Sequence, residues 1–89
     1  MLHARKDYNR IQDPLPEFCG GIPAMEPVFL LRAKDECAPD TLLFWAEEVR
    51  KKGGDPEIIE ATIRQAQRMI LWQLKNGMKV PDFPRGSSI

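Results

Sequence analysis

Arg5, Lys6, Tyr8 and Arg10 interleave cations with an aromatic ring near the start of the chain. A guanidinium can grip a phosphate through two parallel N–H donors, and a phenol ring can stack on a nucleobase. A second basic group lies at Arg64, Arg68 and Lys75, whose i, i+4 and i+11 spacing keeps them on one side of a helix. Trp72 stands four residues beyond Arg68, within cation–π reach on a helix. Arg32 and Lys34 form a third cluster. The candidate ligand-binding set is therefore Arg5, Lys6, Tyr8, Arg10, Arg32, Lys34, Arg64, Arg68 and Trp72, suited to a small anion-bearing ligand. Each cluster competes with the plainer reading of a solvated charged surface, where such side chains mostly lie.

Catalytic signatures are missing. The chain has no glycine-rich phosphate loop, no dinucleotide fingerprint and no metalloprotease helix motif. His3 is the only histidine, and a general base there would need a fixed partner and a pocket; its position predicts a frayed terminal residue. Cys19 and Cys37, with one terminal histidine, lack the spacing of a metal site. They read as free thiols acting as small apolar fillers. Glu47 and Glu48 are adjacent and face different sides of a helix, so they are solvated surface and not an acid/base pair. No enzyme, no metal and no cofactor is expected. Thirteen Lys and Arg balance thirteen Asp and Glu, which argues against binding nucleic acid by bulk phosphate neutralisation.

The elements that must hold these residues can be read in order. Pro14, Pro16, Pro23 and Pro27, with Gly20 and Gly21 between them, exclude a regular helix early in the chain. Residues 1–34 are read as an extended, proline-rich arm with turns, and Tyr8, Ile11, Leu15, Phe18 and Ile22 are expected to pack on something. Val28 to Leu31 is either a short strand or a buried extended segment. A first helix follows, capped by Asp35 or beginning at Pro39 after a turn over 35–38. Leu42, Ala46 and Val49 share one face with Trp45 beside them. Glu47–Lys51 and Glu48–Lys52 are i,i+4 pairs, and Gly53-Gly54 stops the helix. The second helix has Asp55 as its cap, Pro56 at its first position and Gly77 beyond its end. Ile59, Ile63, Ala66, Ile70 and Leu74 are its expected core stripe. The short Gly-Gly link predicts an antiparallel hairpin over 35–79, and residues 80–89 are read as a flexible tail.

The fold expected is therefore all-α: an antiparallel two-helix hairpin behind an irregular arm. Two helices cannot hide all their apolar surface. Ile58, Met69, Leu71 and Trp72 lie off the stripe, and Leu43 and Phe44 crowd the first helix. Either the arm wraps back over a monomer or a second copy covers them; a homo-oligomer is the expectation, because a single core this small is thin. No stretch has the length of a signal peptide's apolar region or a membrane span, which predicts a cytoplasmic protein without membrane association.

The words His3-Ala4-Arg5-Lys6-Asp7-Tyr8-Asn9-Arg10-Ile11-Gln12-Asp13-Pro14 and Ile22-Pro23-Ala24-Met25-Glu26-Pro27-Val28-Phe29-Leu30-Leu31-Arg32-Ala33-Lys34-Asp35 resemble small uncharacterised proteins of tailed bacteriophages and prophages. The likeness covers about half the chain, running more loosely to Trp45-Ala46 and the Gly-Gly-Asp-Pro link, and departs in a longer insert around Leu15 to Gly21. It implies a phage origin and a bacterial cytoplasm. In size, hairpin and expected oligomerisation the chain is also similar to phage anti-defence sponges, small helical oligomers that sequester cyclic nucleotides or ADP-ribose signals. That likeness implies a nucleotide ligand; a host-protein partner is the rival expectation.

Overall fold

The computed structural model describes residues 1–83 of the chain. Its elements are β1 (Leu2–His3), a 3-10 turn at Lys6–Tyr8, a second at Glu17–Cys19, β2 (Pro27–Val28), α1 (Ala38–Lys51) and α2 (Pro56–Asn76). They form two compact units: residues 1–30 with Phe83, and Leu31–Asp82. The chain is mostly helical, as the all-α expectation had it, and the arm read as extended carries a small two-stranded parallel sheet and two 3-10 turns.

In the helical unit, α1 begins after a turn, the second of the two starts open to the sequence. Asp35 does not cap the helix directly. Its carboxylate accepts the Cys37 amide at 2.7 Å and its carbonyl accepts the Ala38 amide at 3.0 Å, while Pro39 sits in the first turn, where its missing N–H does no harm. The helix closes in a Schellman motif. Gly53 takes the left-handed conformation (φ +75°), and the Gly54 amide reaches back to the Val49 carbonyl at 2.9 Å. On the surface, Arg50 bonds Glu47 and Lys51 pairs with Glu48 at 3.7 Å. These i,i+3 pairs take the place of the expected i,i+4 pairs, since both neighbours are within reach on a helix.

α2 is capped as the sequence implies. The Asp55 carboxylate accepts the Glu57 amide at 2.9 Å, Pro56 occupies the first turn, and Gly77 (φ +86°) ends the helix with its amide on the Gln73 carbonyl. The two helices pack on each other through a stripe that keeps Ile59 and Ala66 of the one expected and takes Thr62, Met69 and Gln73 in place of Ile63, Ile70 and Leu74. The residues withdrawn from solvent are Ala66 and Met69, with Ile59, Thr62 and Gln73 partly covered. Met69 belongs to the core, whereas Ile63, Ile70 and Leu74 are exposed. The facing side of α1 is also small: Ala38 and Ala46 are buried, with Leu42 and Val49 half-buried. Among the described residues no large side chain is fully buried. Small residues let helix axes come close, and the larger apolar side chains are displaced to the flanks of the contact.

The segment before α1 is tied to α2 and to the strand-like stretch after it. Gln73 donates from Nε2 to the Ala33 carbonyl at 2.9 Å and to the Asp35 carbonyl at 3.0 Å. Lys79 and Asp35 form a parallel bridge, with the Lys79 amide on the Lys34 carbonyl (3.0 Å) and the Glu36 amide on the Lys79 carbonyl (2.9 Å).

In the other unit, β1 and β2 pair in parallel, Leu2 opposite Pro27 and His3 opposite Val28. Pro27 lacks an amide, which is tolerated at the first residue of a strand. The strand ends at Val28, and Phe29 and Leu30 beyond it are exposed, so of the stretch from Val28 to Leu31 only Val28 is in a strand and the whole is not a buried segment. Asp13 closes the following loop: its carboxylate accepts the amides of Leu15 (2.9 Å) and Ile22 (2.6 Å). Ile11, Leu15, Phe18 and Ile22, expected to pack, are exposed, and only Tyr8 is half-buried; the loop is held by polar and backbone bonds instead. Of the expected tail, residues 80–83 are described; the remainder of 80–89 lies outside the described residues.

Candidate functional site

The candidate residues divide between the two units. Arg5 precedes the first 3-10 turn, which Lys6 opens and Tyr8 closes. The turn brings Asp7 under the Arg5 guanidinium, which binds it as a fork: Nε donates to Oδ1 at 3.0 Å and Nη2 to Oδ2 at 2.7 Å. The same guanidinium lies 4.9 Å from the Tyr8 ring centroid and 5.6 Å from that of Phe83. Arg5 is thus held against two aromatic faces with its bidentate edge facing a carboxylate. A phosphate arriving there must displace Asp7. Lys6 and Arg10 are exposed beside it.

His3 is not a frayed terminus. It stands in β1, half-buried, with Nε2 2.7 Å from the Ile11 carbonyl. The nitrogen facing a carbonyl oxygen carries the proton. Nδ1 is buried without a hydrogen-bond partner among the described residues. A shallow apolar hollow of about 500 Å³ is lined by Leu2, His3, Ala4, Pro27, Val28 and Phe29. A second, of about 220 Å³, opens between Met1, Asp13, Glu17 and Ile22. Neither hollow is lined by Arg5, Lys6, Tyr8 or Arg10.

In the helical unit, Arg64, Arg68 and Trp72 succeed one another every four residues along the outside of α2, and all three are exposed. Arg68 donates from Nη1 to Gln65 Oε1 at 3.2 Å. Among the described residues, the cation–π contacts are those of Arg5, and Arg68 does not stack on Trp72. Arg32 and Lys34 are exposed in the segment ahead of α1. The structure therefore joins Arg5, Lys6 and Tyr8 in one turn and Arg64, Arg68 and Trp72 on one helix face.

Both cysteines are free and exposed, not apolar fillers. Cys19 sits in a surface 3-10 turn, and Cys37 stands just ahead of α1. Partial desolvation, with the carboxylates of Asp35, Glu36 and Asp40 nearby, raises the Cys37 thiol above its ordinary range. The amides of Leu15 and Ile22 hold the Asp13 carboxyl below its usual value. Hydrogen bonding from Arg50 does the same for Glu47, and raises Arg50 in return. Among the described residues no group of three His, Cys, Asp or Glu side chains is placed to hold a metal ion, and no helix is long and apolar enough to cross a membrane.

No protein-family model matches the chain, and no curated protein or solved structure does so either.

Proposed function

We propose that this chain is a phage-encoded, non-enzymatic binding protein of the bacterial cytoplasm that self-associates and sequesters a nucleotide immune signal, a cyclic oligonucleotide or an ADP-ribose derivative. The helical unit is read as an antiparallel hairpin on its short Gly53-Gly54 link. The observation that carries the reading is the outer stripe of α2: Arg64, Arg68 and Trp72 lie exposed at four-residue spacing on one rigid element. Two guanidinium groups would hold phosphates and the indole would stack a base. Lys6 and Arg10 offer further exposed cations, as do Arg32 and Lys34. Arg5 is the weaker phosphate ligand because Asp7 fills its fork.

A thermal-shift screen against cyclic di- and trinucleotides, ADP-ribose derivatives and mononucleotides tests this. A ligand at about a hundred times its dissociation constant adds about 2.7 kcal/mol to the folded state, several degrees in a domain of this size. The rise should be selective for one species and should vanish in the Arg64→Ala/Arg68→Ala double variant. A flat response across the panel refutes the nucleotide reading.

A second reading, binding to a host or phage protein, is favoured by Phe44, which is 69% exposed on α1. A stoichiometric partner captured from bacterial lysate, and lost with Phe44→Ala, would establish it. A steeply salt-dependent gel shift would be required for nucleic-acid binding, which the zero net charge disfavours.

A further inference from the structure

We infer that α2 is the surface on which two copies of this chain associate, running antiparallel across a two-fold axis close to Gln67 and Ile70. The inference rests on the self-association part of the function proposed above and names its interface. α2 carries two apolar seams, offset by one residue. The first, Ile59, Thr62, Ala66, Met69 and Gln73, faces α1 and is buried or half-buried. The second, Ile63, Gln67, Ile70 and Leu74, has the same 4,3,4 spacing of a helix-packing seam and faces solvent. Its apolar members are 36%, 41% and 81% exposed at Ile63, Ile70 and Leu74. A seam of that regularity meets a helix, and nothing among the described residues covers it.

Charge identifies the covering helix as another α2. From its cap to Ile63 the helix holds acids alone, Asp55, Glu57 and Glu60; from Arg64 onward it holds cations alone, Arg64, Arg68 and Lys75. The helix dipole accounts for Glu57 and Lys75 at the two ends. It does not account for Glu60, Arg64 and Arg68, which lie beyond the turns where the dipole is felt. Such a helix repels a parallel copy and attracts an antiparallel one. With the axis near Gln67 and Ile70, Ile63 of one copy meets Leu74 of the other, Ile70 lies beside the axis, and Glu60 comes alongside Lys75 of the other copy. The arrangement is isologous, as a two-fold interface must be. It also joins two helix pairs into a four-helix layer, which supplies the larger core that one copy lacks.

Sedimentation equilibrium on the full chain tests the proposal. The wild type should sediment as a dimer or an even-numbered assembly. Leu74→Glu should raise the dimer dissociation constant by at least about tenfold with helix content unchanged, because Leu74 is 81% exposed within one chain. Glu60→Lys and Lys75→Glu should each weaken the dimer several-fold, and the double variant should restore it to within about twofold. A monomeric wild type overturns the proposal. So does a dimer indifferent to Leu74→Glu, or a double charge variant no tighter than the singles. A dimer that binds no nucleotide in the thermal screen supports this interface and refutes the nucleotide reading; a monomer that binds one does the reverse.

Discussion

Gln73 is the polar residue on which the helical unit depends most. Its Nε2 donates to the carbonyls of Ala33 and Asp35, at 2.9 and 3.0 Å, in a half-buried site. Gln73→Met keeps the length of the side chain and removes both donors. Each neutral hydrogen bond is worth about 1 kcal/mol net, and the abandoned carbonyls regain water only in part, so the loss should be about 1–2.5 kcal/mol. For a domain of 60–100 residues that lowers the melting midpoint by about 5–15 °C. The damage should be local first: the amides of Glu36 and Lys79, paired across the Asp35–Lys79 bridge, should exchange faster than those in the middle of α2.

Gln73→Glu sharpens the test, because it preserves shape and reverses polarity. At neutral pH a carboxylate would face two carbonyl oxygens and offer no donor, so the deficit should exceed that of Gln73→Met. Those carbonyls raise the new carboxyl's folded-state pKa above its unfolded value. Protonation therefore favours the folded variant, and its deficit relative to wild type should shrink as pH falls through that raised value toward about 4. Urea melts followed by helix circular dichroism, run on both variants and the wild type at each pH, give the comparison. A Gln73→Met variant within about 0.5 kcal/mol of wild type would refute the reasoning. So would a Gln73→Glu deficit that does not change with pH.

The end of α1 and the Asp13 loop give two further expectations. A Cβ on Gly54 would collide with the Val49 side chain and stand 3.2 Å from the Val49 carbonyl, whereas Gly53 has open space but φ +75°; Gly54→Ala should therefore cost about 2 kcal/mol and Gly53→Ala about 1, measured by chemical denaturation. Asp13 has a folded-state pKa below its ordinary value of 3.8. Its contribution is present above that value and is lost as pH falls through the depressed one, so the protection of the Ile22 amide, measured against its intrinsic exchange rate at each pH, should fall in acid in the wild type and stay constant over the same step in Asp13→Asn.

The boundaries of α2 were legible because their signals are local: an Asp-Pro pair that satisfies the first turn, and a glycine that takes a conformation other residues resist. The stripe was legible in period but displaced in phase. Hydropathy ranks Ile63, Ile70 and Leu74 above Thr62 and Gln73, and a reading of one chain gives the largest apolar residues to the core. The packed face instead uses Ala66 opposite an α1 surface that includes Ala38 and Ala46, where close approach matters more than side-chain size. Gln73 stands on that face with its amide donating to the Ala33 and Asp35 carbonyls, a tertiary contact absent from any periodicity. The His3 bond to Ile11 and the Asp13 bonds to Leu15 and Ile22 are loop closures of the same kind. At the candidate site, the four-residue spacing of Arg64, Arg68 and Trp72 could be read directly. The Asp7 carboxylate in the Arg5 fork depends on the 3-10 turn between them, which the Pro-rich context did not disclose.

The displaced phase has one cause and one consequence. A helix that packs through Ala66 and Met69, with Ile59, Thr62 and Gln73 only partly covered, buries a modest apolar area, so the contact of α1 with α2 alone makes a thin core. Ile63, Ile70 and Leu74, all exposed, stand one position over, at the spacing a second helix would require. Ile63, Ile70 and Leu74 keep seven- and four-residue intervals, with Gln67 completing the 4,3,4 seam, and the charges of α2 separate into acids before Ile63 and cations after it. A copy of the same helix returning in the opposite direction covers all three apolar residues and sets Glu60 beside Lys75. Arg64 would then border the joint, whereas Trp72, two residues from both Ile70 and Leu74, lies on the far side of α2, so a nucleotide stacked on its indole would sit away from the contact between two chains.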